Sequence, residues 1–251
     1  MIIITGASSA IGQHLLNSYI TNTNYVIGTY NTRLPTINSS YNFYVEEETN
    51  NQIKFTKLDL RNEHEINDFC DYLVSDKDEV HCRRRDISGG ITFIHCAGIS
   101  INRYLTKMTA EEWDEVFDIN VKSAFLITKK LIPVMRQMNY GRIVFISSVV
   151  PQIGIPGTSS YATSKSALWG LTKTIAKENA DKDITCNCIN LGYMDGGMTF
   201  NQLNEQQRKN VIDSIPMKKL GHLDNVSHAV NFLMKSDYVT GTQINVNGGL
   251  F

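Results

Sequence analysis

No stretch of the 251-residue sequence stays apolar over the roughly 20 residues that a membrane-spanning helix needs, so no such helix is expected. No charge of one sign dominates either: 24 Lys and Arg stand against 25 Asp and Glu, a formal net charge of −1. A chain so balanced carries no electrostatic footprint for nucleic acid and is not drawn to anionic lipid. Its one basic cluster, Arg83-Arg84-Arg85, lies between Glu79 and Asp86 and reads as a solvated loop. Paired cysteines are missing as well. The five present (Cys70, Cys82, Cys96, Cys186 and Cys188) are odd in number and form no C-x-x-C, which argues against a disulfide framework and against a zinc site. Cys186 and Cys188 share one face of an expected strand but stand too far apart to bridge easily, so reduced core thiols are expected. The opening M-I-I-I-T-G is already a strand running into a glycine turn, so no secretory leader is expected and the cytoplasm is the expected compartment. Neither an internal repeat nor an interdomain linker is evident, and the length suits one domain over residues 1–251.

What is present is alternation. Short apolar runs at Ile2–Ile4, Tyr25–Tyr30, Ile53–Leu58, Ile91–His95, Arg142–Ser147, Ile184–Asn190 and Gln243–Val246 read as seven strands. Helical patterns fall between them near Ile11–Thr21, Glu63–Val74, Thr109–Met138, Ser160–Ala180 and Asp224–Met234. Thr109 followed by Glu112 makes a capping box for the long middle helix. Strands this apolar are buried on both faces. The expectation is therefore an α/β fold: a single Rossmann-type doubly wound domain, with a seven-stranded parallel sheet and helices on both faces. Residues 33–52 lack a clean helical period where a crossover is required. Residues 75–90 are polar and read as a surface loop. Residues 192–216 come after a strand's carboxyl end, where open α/β sheets bind ligands, and suit a mobile substrate lid.

The first strand runs into T-G-A-S-S-A-I-G, residues 5–12, which opens a helix. Small residues permit a tight turn and let backbone N–H groups approach a pyrophosphate, while the helix N-terminus adds partial positive charge. Gly6, Ser8, Ser9, Ile11 and Gly12 are the candidate contacts. The second strand ends at Tyr30, and no acidic residue occurs from Tyr25 to Val45. Dinucleotide folds selective for NAD place a carboxylate near this point, and it would repel a 2′-phosphate. Here Asn31 and Thr32 offer hydrogen bonds and Arg33 a charged fork, so the expected cofactor is NADP(H) rather than NAD(H).

The spacing Gly6-x-x-x-Ala10-x-Gly12 resembles the nucleotide loop of the short-chain dehydrogenase/reductase family. Leu58-Asp59-Leu60, Ala97-Gly98, Asn120, Ser148, Tyr161, Lys165 and V-N-G-G at 246–249 come in that family's order. The resemblance covers essentially the whole chain and is closest to the β-ketoacyl reductases, through G-R-I-V-F-I-S-S-V-V and G-T-Q-I-N-V-N-G-G. It implies catalysis by Asn120, Ser148, Tyr161 and Lys165. It also implies cofactor contacts at Asp59, Leu60, Cys96, Ala97, Gly98, Gly192 and Met194, together with Tyr161, Lys165 and the loop residues above. Tyr161 and Lys165 are four apart and share a helix face. A lysine ammonium and the positive charge of an oxidised nicotinamide would lower the phenol from its usual pKa near ~10. Tyr161 then exchanges a proton with the substrate oxygen, Ser148 holds that oxygen, Lys165 grips the nicotinamide ribose, and Asn120 supports a water-linked proton path.

Some positions depart from the family. His95 and Cys96 replace two asparagines, Leu191 a proline, Gly196 a threonine and Ala10 a glycine. His95 is expected to pack or hydrogen-bond within the sheet. The expected activity is reduction of a ketone or 3-oxoacyl thioester, on acyl carrier protein or free. Oxidation of a sugar or other small secondary alcohol is the enzyme alternative, and a non-catalytic nucleotide sensor is the alternative of a different class. The turn Q-M-N-Y-G, where carrier-dependent relatives are basic, is neutral, with Lys177 and Lys182 nearby. The resemblance further implies a homotetramer, paired through the two long helices and the carboxyl-terminal strand with Leu250 and Phe251.

Overall fold

A computed structural model describes residues 1–20, 25–36, 53–74, 89–196 and 203–251. The readings made for Arg83–Arg85, for Cys82 and for most of 33–52 and 75–90 lie outside these residues. Seven strands form one parallel sheet, in spatial order β3-β2-β1-β4-β5-β6-β7. They are β1 (Ile2–Thr5), β2 (Val26–Tyr30), β3 (Ile53–Lys57), β4 (Ile91–His95), β5 (Gly141–Ser148), β6 (Ile184–Leu191) and β7 (Gln243–Val246). Parallel neighbours require crossovers, and the order reverses beside β1, so a crevice opens between β1 and β4 at the carboxyl edge. The seven-stranded doubly wound expectation holds.

The strands are apolar because both faces are covered. On one face α2 (Glu63–Val74), α4 (Ser123–Met138) and α6 (Ser159–Asn179) bury Phe69, Ile127 and Leu168 against Ile3, Phe93 and Phe145. On the other, α1 (Ala10–Ile20) and α8 (Leu223–Lys235) bury Leu16 and Val230 against Ile4, Ile94 and Val144. Successive strand residues point to opposite faces, which is why Ile3 and Ile4 belong to different cores. Cys70, Cys186 and Cys188 are buried thiols without a bridge.

The expected unbroken helix over Thr109–Met138 is corrected in one respect. Thr109 does cap α3 (Ala110–Phe117) with the expected reciprocal box to Glu112. A π-helical turn, Asp118–Lys122, then separates α3 from α4. Such a turn carries one extra residue and shifts the register of α4 relative to α3, and it turns Asn120 fully inward. Two shorter helices complete the frame: α5 (Val150–Ile153) after β5, and α7 (Glu205–Ser214) within the expected lid. A second reciprocal box, Asn204 with Gln207, starts α7. Among the described residues no helix is long and apolar enough to cross a membrane.

Candidate active site

The glycine loop is held by packing that admits no side chain. Gly6 adopts φ +68°, and a Cβ there would stand 2.7 Å from the Cα of Ala97 after β4. The amide of Ala7 donates to the carbonyl of Thr29, so the loop is pinned to the end of β2. Ser9 caps α1, its hydroxyl accepting from the Gly12 amide at 3.0 Å. The loop between Gly6 and Gly12 thus brings small residues and a helix N-terminus to the crevice between β1 and β4, a cradle suited to a pyrophosphate. Asn31 to Arg33 come after β2 at the same edge, with Thr32 and Arg33 exposed. Asp59 lies beyond β3 with its carboxylate held by Arg61 in a fork of 2.6 to 3.2 Å, and this guanidinium keeps the carboxyl below its usual range.

The serine pair ending β5 divides its work. Ser147 points inward: its hydroxyl donates to the Lys165 carbonyl at 3.0 Å and accepts from the Trp169 indole at 3.0 Å, so it fastens α6 to the sheet. Ser148 lines the cleft with Tyr161 and accepts from the Val150 amide at 3.2 Å. Tyr161 and Lys165 share one face of α6, with the ammonium 5.7 Å from the phenol ring centre. Lys165 is buried and donates to the Ile146 carbonyl at 2.8 Å. Gly98 makes room for this arrangement, since a Cβ there would lie 3.0 Å from Lys165 Nζ and 3.3 Å from Asn120 Oδ1.

Asn120 is a clamp. Its Oδ1 accepts from the Ile99 amide at 2.8 Å, and its Nδ2 donates to the Ile99 carbonyl at 3.0 Å and to Ser164 Oγ at 2.9 Å. Every hydrogen-bonding direction but one of the side chain is occupied, joining the π turn, the loop after β4 and α6. Ser164 was not among the expected site residues. Its signal was its place beside Lys165 and three residues after Tyr161, on the face that looks inward.

The expected lowering of the Tyr161 phenol counts on a nicotinamide's charge as well as on Lys165. Burial pushes the Tyr161 phenol up, and only Ser148 pulls it down. Burial likewise lowers the Lys165 ammonium to about 8. Burial thus favours the neutral form of both groups, while the Lys165 ammonium is held by its bond to the Ile146 carbonyl. His95 is a sheet residue, as expected: Thr5 Oγ1 lies 2.8 Å from its Nδ1, while Nε2 is buried without a partner. Burial first, then the Lys165 charge, lower its pKa to about 3, so it is a neutral imidazole and no base. Cys96 lines the cleft as a neutral thiol, pushed up to about 12 by burial.

These groups open onto one cleft of about 380 Å³. Ile11, Cys96, Gly98, Ser148, Tyr161, Lys165, Gly192 and Met194 all line it, whereas Gly6, Ser8, Ser9, Gly12, Asn31, Thr32, Arg33, Asp59, Leu60, Ala97 and Asn120 do not. The lining also includes apolar Val149, Val150, Ile155, Pro156, and Leu203 and Val211 from the lid, together with polar Ser100, Asn102, Thr158 and Tyr193. The base of the lid is anchored, with Met194 buried and Gly221 exchanging backbone bonds with Tyr193 and Asp195. Leu191 pairs with Ser148 in the sheet, and Gly196 at φ +80° uses a conformation that the usual threonine would resist. A larger dent of about 520 Å³ beside β7, lined by exposed Lys219, His222 and His228, holds none of these groups. Among the described residues no cluster of His, Cys, Asp or Glu could hold a metal.

A parallel sheet with a glycine-walled crevice at its switch point, and a serine, tyrosine and lysine beside it, defines a dinucleotide-type α/β fold with a candidate site at its carboxyl edge. A family model described as enoyl-(acyl carrier protein) reductase matches residues 44–251. Nodulation protein G of Rhizobium sp. (strain N33) is 30% identical over 250 residues, covering 99% of this chain and 95% of its own. The 3-oxoacyl-(acyl-carrier-protein) reductase FabG of Rickettsia conorii is 40% identical over 156 residues, 61% of this chain and 64% of that protein. Acetoacetyl-CoA reductase of Allochromatium vinosum is 36% identical over 160 residues, 63% of this chain and 65% of that protein. The matches to these two reductases thus span just under two thirds of their length. The chain belongs to the short-chain dehydrogenase/reductase family.

Proposed function

We propose that residues 1–251 act as one catalytic domain, an NADP(H)-dependent reductase of 3-oxoacyl thioesters. The observation that carries this reading is the convergence of Ser148, Tyr161 and Lys165 on a cleft with one apolar side, formed by Val149, Val150, Ile155 and Pro156, while Ser100, Asn102 and Thr158 line it elsewhere. A sugar would leave its hydroxyls unpaired against Val149, Val150, Ile155 and Pro156, whereas an acyl chain loses nothing there. A nucleotide sensor would have no use for a proton donor in the cleft. The names of the relatives, reductases of 3-oxoacyl and acetoacetyl thioesters, point the same way.

A bound nicotinamide would supply hydride. The chain's own residues supply the rest. Gly6, Ser8, Ser9, Ile11 and Gly12 would hold the pyrophosphate, and Gly98 leaves room beside Lys165 for a ribose. Asn31, Thr32 and Arg33 would receive a 2′-phosphate. Tyr161 donates its proton to the carbonyl oxygen as negative charge develops there, and Ser148 holds that oxygen by a hydrogen bond. Lys165, buried and lowered to about 8, stabilises the phenolate that remains. Asn120 acts as a positioning residue, fixing the loop at Ile99 and α6 at Ser164. We place the protein in the cytoplasm as a homotetramer. The carbonyl is on a thioester, of coenzyme A or of acyl carrier protein, and the neutral Q-M-N-Y-G turn makes the carrier the less favoured form.

The test is turnover of NADPH against acetoacetyl-CoA, an acyl-carrier thioester, a free ketone and, in reverse, a sugar. The thioesters should have the highest kcat/KM. A higher value for the sugar would overturn the substrate class, and tight cofactor binding with no turnover would favour the sensor.

A further inference from the structure

At the edge formed by β2 and β3, Lys57 is the register partner of Tyr30, and the Leu58 amide donates to the Tyr30 carbonyl at 2.8 Å. The last residue of β3 therefore stands about 4.8 Å, one strand spacing, from the last residue of β2. Its side chain faces the glycine-loop side of the sheet. Ile53 and Phe55, four and two residues earlier on the same strand, pack in the core beneath α1, and Phe55 reaches Gly28 beside Ala7 and Leu16. Alternation puts Lys57 on that face, above the start of α1. The loop carrying Arg33 comes to the same place. Ala7 bonds Thr29, and Gln13 of α1 donates to the Thr36 carbonyl at 2.6 Å, so residues 31–36 lie against the first turns of α1.

Cations elsewhere at this edge are engaged. Lys54 donates to the Tyr72 hydroxyl at 2.5 Å, and Arg61 is held by Asp59 and Glu115. Lys57 and Arg33 are exposed, and among the described residues no carboxylate pairs with either. The glycine loop itself offers only Ser8 and Ser9, with no cation. A single solvated guanidinium can hold a 2′-phosphate, and a second cation beside it adds attraction for the dianion.

We propose that Lys57 is a cofactor-specificity residue, the second cation that, with Arg33, receives the 2′-phosphate of NADP(H). This rests on the NADP(H) reading above and adds a residue from β3 to it. The ammonium is a point charge on a flexible stem, so it adds attraction for a dianion without demanding one geometry.

The experiment measures NADP⁺ and NAD⁺ affinity by calorimetry for the wild type, Lys57→Met and Lys57→Arg, at low and at high salt. Lys57→Met removes the charge from an exposed position and keeps the stem. It should weaken NADP⁺ binding about fivefold, flatten its salt dependence and leave NAD⁺ unchanged, with Lys57→Arg near the wild type. Equal losses for both dinucleotides, or an unchanged NADP⁺ affinity, would overturn the proposal. If the wild type prefers NADP⁺ and Lys57→Met keeps the full preference, the role of Lys57 fails and the cofactor reading stands. A wild type that prefers NAD⁺ overturns both.

Discussion

His95 is buried and Tyr161 half-buried at the cleft, and their environments act in different directions on stability and on chemistry. The folded pKa of His95 is lowered to about 3 from 6.5, so the native state binds this proton less readily than the unfolded chain. Its contribution to stability is therefore complete above pH 6.5 and is lost as pH falls toward 3. At pH 4.5 the loss from this group is about 2–3 kcal/mol. A His95→Asn variant should show a flatter fall in urea-unfolding free energy between pH 7 and 4.5, by about that amount. Parallel curves for the two proteins would show that His95 does not titrate with folding. The sequence marked His95 as a departure and placed it correctly in the sheet. It could not show the Thr5 bond, because that bond depends on the register of β1 against β4. The direction of the Tyr161 shift was likewise beyond the sequence. Residue spacing places Lys165 on the right face of α6, but it does not reveal that the ammonium turns to the Ile146 carbonyl.

At the scale of elements, the strands and the caps were legible and the π turn was not. Apolar runs bounded by turn residues locate all seven strands to within a residue or two, and the Thr109–Glu112 box locates the start of α3. An inserted residue within a helix leaves no local signal, since Asp118–Lys122 is compatible with an ordinary helix. Its stability comes from the buried Asn120 bonds to Ile99 and Ser164. Asn120→Ala removes all three and leaves the Ile99 amide without its side-chain partner, which should cost about 2–4 kcal/mol. Thermal and urea unfolding of the variant measure this. A loss below about 0.5 kcal/mol would mean that the π turn is held by something else. Within the expected lid the reading from position missed the capped helix α7, whose signal is a second reciprocal box, Asn204 with Gln207.

For the molecule as a whole, the doubly wound sheet sets where everything else stands: reversal of strand order beside β1 puts the glycine loop, Tyr161 and Lys165 on one carboxyl edge. That much was legible in alternation and motif order, because βαβ units leave few arrangements open. Assembly is written more faintly. Phe125 on α4 and Phe251 at the carboxyl end stay 45% and 47% exposed, on two of the segments expected at the tetramer's interfaces. Light scattering at micromolar concentration should give about four times the monomer mass, and Phe125→Glu should lower it. A wild-type monomer would contradict the proposed assembly. The central claim is that Tyr161 transfers the proton, and the most direct measurement compares kcat for acetoacetyl-CoA reduction by wild-type protein and Tyr161→Phe, with NADPH affinity measured alongside. The account predicts a fall of about 10²- to 10⁴-fold in kcat with NADPH binding retained. A variant that keeps wild-type kcat would contradict it.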